Sequence, residues 1–360
     1  MVDQVTDQVI LQALKDVTYP GYSRDIVSFG LVDGVQTDGA TAKVRLRVKS
    51  ADAQLPRKLK ESVEARLAAL PGLASAEVTV AVTKPAQSAA SSGGTTLDRE
   101  SIPGVKYVVA IASGKGGVGK STVTVNLACA MERLRANAGR PGAVGIMDCA
   151  LYGPCVPMMM GVTDQPEIRG QKLLPVRNFN VPVMSIGLLV EEDSPVVWRG
   201  PLITKAIRQF AGDVEWGDLD VLFVDLPPGT GDTQLSMAQI LPISGVIVVT
   251  TPQQAAVRVA IRGARMFEKV DIPLMGVVEN MSHFHAGDGK TLTLFGEGGG
   301  AEAAKALGTA FLGQIPLEVG IQQGGDAGVP AVVGKAQSEA SGVFTQLADT
   351  IWGLLERRIG

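Results

Sequence analysis

One glycine-rich stretch constrains the fold of this chain more than any other part. Residues 114–122 read GKGGVGKST and directly follow the apolar run 108–112. The stretch fits G-x-x-x-x-G-K-[ST], a loop between a strand and a helix whose backbone N–H groups wrap phosphate oxygens. Glycines suit such a loop because it turns sharply and its amides must approach the oxygens without interference from Cβ atoms. Apolar residues follow at helical spacing, namely Val123, Leu127, Ala130, Met131 and Leu134. This context favours a phosphate-binding loop over a glycine-rich turn without a ligand.

Side chains of the loop and one carboxylate beyond it complete a predicted nucleotide and magnesium site. We expect Lys120 to reach the β- and γ-phosphates and the Ser121 hydroxyl to coordinate Mg²⁺. The apolar run 221–224 ends at Asp225, the carboxylate that we expect to bind Mg²⁺ directly or through water. The candidate nucleotide-binding residues of the loop are Gly114, Lys115, Gly116, Gly117, Val118, Gly119, Lys120, Ser121 and Thr122.

Three further features bear on hydrolysis. Lys115, which the general motif does not require, is either an exposed surface lysine or a charge stabiliser that acts across a dimer interface, as an arginine finger does in trans. The apolar run 143–147 ends at Asp148, which we expect to orient or deprotonate the attacking water; capping of the next loop is the alternative. Residues 226–232 (LPPGTGD) form a fixed turn that either senses the γ-phosphate or is a plain loop.

The chain divides into two predicted domains. Residues 84–104 are rich in Ser, Gly, Ala, Thr and Pro and lack apolar periodicity, which predicts a flexible linker. Before it, residues 1–83 predict a small α/β domain with a helix, a turn, two strands, a helix and a strand. After it, residues 105–360 alternate between buried strands and helices, which predicts an α/β fold with a mostly parallel sheet, typical of a P-loop NTPase domain. The strand candidates are 106–112, 143–148, 181–187, 221–225, 245–250, 274–279 and 310–314.

Composition excludes several classes of protein. The net charge of −3 gives no global basic field, so we expect neither nucleic acid nor an anionic membrane as a partner. The N-terminus MVDQVTDQVI has no basic region typical of a secretory signal, and no apolar run is long enough to span a bilayer. The cytoplasm is therefore the expected compartment. Three cysteines rule out a disulfide framework.

Histidine and cysteine side chains are candidate ligands for a transition metal. His283 and His285 face the same way if the backbone is extended, yet two imidazoles fall short of the three or four ligands that zinc or iron normally takes. Local packing at the tip of a loop is the favoured interpretation. Cys149 and Cys155 match no metal-binding spacing, which favours buried apolar roles.

Several segments together resemble the Mrp/ApbC-type iron–sulfur cluster carrier ATPases, which belong to the deviant P-loop ATPases that dimerise face to face. They are GKGGVGKST at 114–122, MDCALYGP at 147–154, VVWRGP at 196–201, WGDLDVLFVDLPPGTGD at 216–232, MFEKVDIPLMGVVENMS at 266–282, FGEGGG at 295–300 and FLGQIPLE at 311–318. TYPGYSRDIVSFGLV at 18–32 resembles the small α/β domain often fused to these carriers.

The resemblance implies a homodimer with two nucleotides near its interface, ATP binding with Mg²⁺ and slow hydrolysis. It also implies delivery of a [4Fe–4S] cluster to apoprotein clients after receipt from cluster donor proteins. By the same resemblance Lys115 is the signature lysine that acts in trans, the reading that we favour. Asn280 would hydrogen-bond the adenine edge, which suits an amide that both donates and accepts.

This sequence departs from the family pattern in two places. Many members carry a C-x-x-C pair shortly after ENMS, whereas residues 282–289 read SHFHAGDG. Because thiolates are the usual ligands of such clusters, either other ligands hold the cluster, with Cys155 or the histidines as candidates, or no cluster is held. The family commonly has Asp-Ala-Asp where this chain has Asp148-Cys149-Ala150, a loss that bears on turnover more than on binding.

Three functions follow from these observations. The preferred hypothesis is a nucleotide-switched carrier or assembly factor for iron–sulfur clusters. The alternative is a metal-free ATP-binding scaffold or regulatory protein. A partitioning ATPase that acts on a nucleoid or membrane is weaker, because such proteins need a basic patch or a terminal amphipathic helix, and the helical segment 344–359 ends in only two arginines.

Overall fold

A computed structural model of the chain describes residues 6–17, 25–27, 31–38, 41–49, 55–83, 101–150, 153–189, 200–229, 231–287 and 289–357. Outside them lie most of the predicted linker, most of the segment 18–32, and residues 151–152, 196–199 and 230 of the family-like segments. The chain forms two units, Met1–Thr95 and Thr96–Gly360. The domain boundaries at 83 and 105 stay a prediction; of the predicted linker, Ile102 is buried in the larger unit.

The smaller unit has the predicted order of elements. They are α1 (Asp7–Leu14), β1 (Val32–Asp38), β2 (Thr41–Lys49), α2 (Leu55–Ala68) and β3 (Ser75–Thr83). Strand β2 lies in the middle of the sheet, antiparallel to β1 and parallel to β3. Buried Ala42, Val44 and Leu46 alternate along β2 with exposed residues, as expected for a strand with one face on a core.

The larger unit alternates between strands and helices. Its strands are β4 (Val105–Ser113), β5 (Val144–Asp148), β6 (Ile168–Arg169), β7 (Lys172–Leu173), β8 (Val176–Asn178), β9 (Val181–Ser185), β10 (Leu219–Asp225), β11 (Gly245–Thr250), β12 (Leu274–Glu279), β13 (Phe284–His285), β14 (Thr291–Leu292) and β15 (Phe311–Gln314). Its α-helices are α3 (Lys120–Asn137), α4 (Val156–Met159), α5 (Gly200–Gly212), α6 (Asp232–Ile240), α7 (Gln254–Glu268), α8 (Gly299–Leu307), α9 (Val319–Asp326), α10 (Ala331–Gly334) and α11 (Glu339–Glu356).

A mostly parallel sheet organises this unit and confirms the predicted fold class. Among the described residues its order is β15-β12-β11-β4-β10-β5-β9-β8, and only β8 runs antiparallel to its neighbour. Strand β4 lies centrally between β11 and β10, and Asp225 at the end of β10 is in register with Asp148 at the end of β5. The carboxyl ends of these strands therefore meet at one edge, where ligands bind in such sheets.

Two apolar clusters cover the two faces of the sheet. Along β4, Val108, Ala110 and Ala112 pack into one cluster, and Val109 and Ile111 pack into the other. Both faces of β4 are thus buried, which is why its sequence is a continuous apolar run rather than an alternating one.

The short elements of the larger unit escaped prediction. The hairpins β6–β7 and β13–β14 have two-residue strands, too short for an apolar period. The predicted strand 181–187 ends at Ser185, because the Ser185 hydroxyl accepts a hydrogen bond from the Gly187 N–H and starts a 3₁₀ turn, Ile186–Leu188. Within the part of the chain that the structure describes, none of the helices combines the length and apolar character needed to cross a bilayer.

Candidate nucleotide-binding site

The loop between β4 and α3 has the backbone of a phosphate-binding loop. Gly117 and Gly119 both have φ of 79°, and Gly119 is the residue before α3. That left-handed conformation favours glycine, because a Cβ atom would crowd the following carbonyl. Helix α3 then starts at Lys120, so its first N–H groups and its positive dipole end face the loop, as an anion site requires.

Three glycines of the loop differ in the space around them. A Cβ atom on Gly114 would lie 2.4 Å from the backbone N of Ala260 in α7, so Gly114 permits close packing. A Cβ atom on Gly119 would lie 2.2 Å from Asn280 Nδ2. At Gly116 nothing lies within 4 Å of the added atom. Packing within the chain therefore explains the first two glycines, whereas Gly116 leaves open space beside the loop backbone.

Buried Asp225 gathers the polar side chains at the start of α3. Its Oδ2 lies 2.7 Å from Lys120 Nζ and accepts a hydrogen bond of 2.6 Å from the Ser121 hydroxyl. Its Oδ1 accepts a 2.6 Å hydrogen bond from the Thr124 hydroxyl. The structure thus brings together the three residues that the motif predicted for phosphate and Mg²⁺. Thr124 was missed, although its spacing of three residues from Ser121 places both on one side of the helix.

Asp148 lies beside Asp225 at the same sheet edge and is fully buried. Its Oδ1 accepts from the Ala150 N–H at 2.9 Å, and its Oδ2 accepts from the Ser185 hydroxyl at 2.8 Å. Burial, and then the negative charge of Asp225, raise the pKa of the Asp148 carboxyl well above its usual range. A carboxyl that exchanges its proton near neutrality suits the predicted role of a base, which stays a prediction.

Two contacts join the loop to other segments of the larger unit, one at Asn280 and one at Lys115. The Asn280 side chain is buried, and its Nδ2 donates to the Val118 carbonyl at 2.8 Å. Lys115 Nζ lies 3.5 Å from Gln253 Oε1, a long contact at a half-buried position. Neither contact tests the adenine or trans-acting roles that the resemblance implies.

The segment after Asp225 is tied to β4. The Gly229 N–H donates to the Ser113 carbonyl at 3.1 Å. Buried Gln234 donates from its Nε2 to the same carbonyl at 3.4 Å and also to the Pro227 carbonyl. Gln234, unnoticed in the sequence, therefore couples this turn to the strand that leads into the phosphate loop.

The cysteines differ in accessibility. Cys149 is buried, as the sequence predicted, and so is Cys129. Cys155, for which a buried role was also predicted, is only half-buried. Burial raises the pKa of the Cys155 thiol, and the charges of Asp148 and Asp225 raise it further. The histidines do lie side by side, with ring centroids 4.9 Å apart, and they meet a third side chain, Glu339, that no local pattern could identify.

The central parallel sheet and this loop define a P-loop NTPase. Residues 104–352 match the family model described as "NUBPL iron-transfer P-loop NTPase", and residues 7–80 match the model described as "Iron-sulfur cluster assembly protein". The chain belongs to the iron-transfer P-loop NTPase family and carries the assembly-protein module at its N-terminal end. The resemblance read from the sequence is confirmed.

Relatives from distant organisms agree with this assignment. The "Iron-sulfur cluster carrier protein" of Synechocystis sp. is 39% identical over 356 residues, which cover 97% of this chain and 98% of the relative. The mitochondrial "Iron-sulfur protein required for NADH dehydrogenase" of Arabidopsis thaliana is 45% identical over 276 residues, covering 75% and 86%. A nucleotide-binding protein of Archaeoglobus fulgidus, solved in complex with ADP and with cobalt found by PIXE, is 35% identical with a TM-score of 0.55, covering 64% of this chain and 89% of that structure.

Proposed function

We propose that this chain is an ATP-binding carrier of iron–sulfur clusters that receives a cluster from donor proteins, hydrolyses ATP slowly and delivers the cluster to apoproteins. The observation that carries the proposal is the polar group around Asp225 beside the phosphate loop, in a chain whose full-length relatives bear the carrier name. The assembly-protein module at the N-terminal end supports the same process. The metal-free scaffold is the less supported alternative.

The residues present fit a nucleotide with Mg²⁺. Lys120 would match the β/γ-phosphate charge, and Ser121 and Asp225 would hold Mg²⁺ with hydroxyl and carboxylate oxygens, the ligand type that this cation prefers. Open space at Gly116 lets loop amides reach phosphate oxygens. When bound, Mg²⁺ neutralises charge on the phosphates. Asp225 engages Lys120 and Ser121 itself, so nucleotide must redistribute these contacts.

The remaining roles complete the proposal. Asn280 lies against the loop, and in this proposal its amide hydrogen-bonds the base of the nucleotide. Asp148 holds or takes a proton at the sheet edge, and Lys115 acts across the interface of a homodimer. A dimer is supported by the one long contact that the Lys115 ammonium makes within the described part of its own chain, because a flexible lysine stem can exchange such a contact for a partner.

Each chain offers one accessible thiol to the cluster that it carries. Because Cys129 and Cys149 are buried, a cluster bound through thiolates has to use Cys155. In a homodimer each chain would supply one such thiol, so two Cys155 thiolates would bind the cluster. They would take the place of the C-x-x-C pair that this chain lacks.

Calorimetry with Mg·ATP tests the nucleotide site. Gly116→Ala is expected to weaken binding roughly 10- to 100-fold, because loss of one charge-assisted hydrogen bond costs about 1.5–3 kcal/mol. Gly212→Ala is the matched control, since Gly212 is equally open but ends α5. Lys120→Ala is expected to abolish binding. Unchanged affinity in Gly116→Ala and Lys120→Ala would refute the nucleotide site.

Iron and sulfide analysis after purification without air tests the carrier function. We expect bound iron and sulfide in the wild type, loss of both in Cys155→Ser, and transfer of the cluster to an apo-ferredoxin. A wild-type chain that binds Mg·ATP yet holds no iron or sulfide, even after anaerobic reconstitution, would favour the scaffold instead. Cluster retained in Cys155→Ser would refute attachment through that thiol.

A further inference from the structure

The two histidines of the chain turn toward one carboxylate. His283 Nε2 lies 3.2 Å from Glu339 Oε1, and His285 Nε2 lies 2.9 Å from Glu339 Oε2. The three ligand atoms lie within 4.8 Å of one another, and no other set of three His, Cys, Asp or Glu side chains converges in this way within the described ranges. The exposed fractions of 21%, 50% and 45% leave the group accessible to solvent ions.

The second nitrogen of each ring is held by a hydroxyl. The Ser282 hydroxyl donates to the Ile315 carbonyl at 3.0 Å and lies 2.8 Å from His283 Nδ1. With the hydroxyl proton on the Ile315 carbonyl, the Ser282 oxygen accepts from His283 Nδ1–H, and the neutral ring keeps a lone pair on Nε2. With that proton on Nδ1 instead, the ring carries its own proton on Nε2, and the Ile315 carbonyl still accepts from the Ser282 backbone N–H.

In the first arrangement the Nε2 lone pair faces a negatively charged oxygen, and a cation between the two atoms would remove this repulsion. His285 repeats the pattern, because its Nδ1 lies 3.0 Å from the Thr291 hydroxyl while its Nε2 faces Glu339. Orientation of a ring through Nδ1 is how proteins prepare a histidine to bind a metal through Nε2. A proton on each ring would also supply positive charge, but one cation shared by all three groups satisfies both rings and the carboxylate at once.

We propose that His283, His285 and Glu339 bind one divalent transition-metal ion of the Zn²⁺ or Fe²⁺ class. Bonds of about 2.0–2.1 Å in a tetrahedral site place ligand atoms roughly 3.4 Å apart, close to the two nitrogen–oxygen distances found here. Imidazole ligands exclude Mg²⁺ and Ca²⁺ as the preferred ion. Three protein ligands leave a coordination position for water, so the ion can exchange with solution. The site shares no residue with the phosphate loop and does not depend on the proposed carrier function.

Metal titration of the tag-free, full-length chain tests this site. We expect one Zn²⁺ per chain by calorimetry, with Fe²⁺ competing under anaerobic conditions and excess Mg²⁺ failing to compete. His285→Asn and Glu339→Gln are expected to lose this binding. Glu302→Gln is the matched control, because Glu302 is also an acidic residue in the first turn of a helix. Cys155→Ser is expected to keep binding.

Ring resonances give a second measurement. The chain has only two histidines, so long-range ¹H–¹⁵N spectra report on this site without background. We expect His283 to carry its proton on Nδ1 and both Nε2 signals to shift when Zn²⁺ is added. Ser282→Ala is expected to lower Zn²⁺ affinity about 10- to 100-fold, as loss of an outer-shell partner does elsewhere.

Several results would overturn the proposal. They are the absence of Zn²⁺ and Fe²⁺ binding in the wild type, equal affinity in the wild type, His285→Asn and Glu339→Gln, loss of the ion in Cys155→Ser, or His283 protonated on Nε2. Thermal unfolding of each variant shows that it is folded. If Glu339→Gln does not fold, Zn²⁺ binding by His285→Asn, a change at a half-exposed position, tests the proposed site by itself.

Discussion

Charge neutralisation inside the phosphate loop leads to a sharp prediction about stability. Lys120 is 6% exposed and Asp225 is fully buried, and their charged atoms lie 2.7 Å apart. Asp225→Asn keeps the shape and one acceptor oxygen but removes the negative charge. Lys120→Met keeps the length of the side chain but removes the positive charge. Each single variant therefore leaves the other charge buried without its partner.

The expected magnitude follows from that burial. Removing one partner of a buried ion pair costs about 3–5 kcal/mol, because the remaining charge stays desolvated. Replacing both partners by neutral groups is often nearly neutral. We therefore expect each single variant to lower the free energy of unfolding by about 3–5 kcal/mol and the double variant Lys120→Met/Asp225→Asn to lie far closer to the wild type than the sum of the two.

Denaturant unfolding followed by tryptophan fluorescence measures this effect. All three tryptophans lie beyond residue 95, so the signal reports the larger unit and is independent of the N-terminal one. Thr124→Val is the matched control. It removes one hydrogen bond to Asp225 and leaves the ion pair, with an expected cost of about 1.5–3 kcal/mol.

Additivity would refute the reasoning. If the double variant is as destabilised as the sum of the singles, the two charges do not compensate each other. The same conclusion follows if each single variant loses less than about 1 kcal/mol, the range of exposed ion pairs. Either result would also weaken the view that nucleotide binding has to displace Lys120 from Asp225.

Three further predictions concern neighbouring positions. Gly114→Ala should lower the free energy of unfolding by about 1–3 kcal/mol, the usual cost of overpacking, since its Cβ meets the backbone of α7; a neutral effect in denaturant titration would contradict the tight packing. Asp148 has a raised pKa in the folded chain, so its contribution to stability is complete below the unfolded value of about 4 and is lost as the pH rises toward neutrality. Asp148→Asn should therefore gain stability relative to the wild type along this pH series, and parallel curves would disprove the shift. Lys115→Ala should bind Mg·ATP normally in calorimetry but lose hydrolysis in a phosphate-release assay; an unchanged rate would exclude a trans-acting lysine.

The sequence predicted those parts of the fold that depend on local pattern. Continuous apolar runs located the strands of the parallel sheet because both of their faces are buried, as at β4 and β10. The glycine and lysine spacing located the phosphate loop because its backbone needs left-handed residues at Gly117 and Gly119. Two-residue strands and the reversed strand β8 escaped because pairing over so few residues depends on neighbours distant in the sequence.

Parts of the candidate site that depend on tertiary contact were missed for a related reason. Thr124 lies in a stretch of α3 where residues 123–132 are all buried, so its hydroxyl needs a partner, but that partner, Asp225, lies 101 residues away in the sequence. Glu339 offered no local signal. It lies 56 residues from His283 and looks like an ordinary acidic residue in the first turn of a helix. Only the packing of α11 against the rest of the unit brings it to the histidines.

Three buried carboxylates at the sheet edge differ in their hydrogen-bond partners, and this difference indicates which of them a ligand would affect. Glu279 accepts from the Gly300 N–H at 2.6 Å and from Gln314 at 2.8 Å, so it ties α8 and the edge strand β15 to its own strand, β12. Asp148 accepts from a backbone N–H and from Ser185 on the next strand. Asp225 differs, because its partners are side chains from the N-terminal end of α3. Desolvating a carboxylate is costly unless its partners compensate. Since Ser121 and Lys120 are the groups that phosphate and Mg²⁺ would engage under the proposed function, we expect Asp225 to be the carboxylate whose surroundings change when a nucleotide binds.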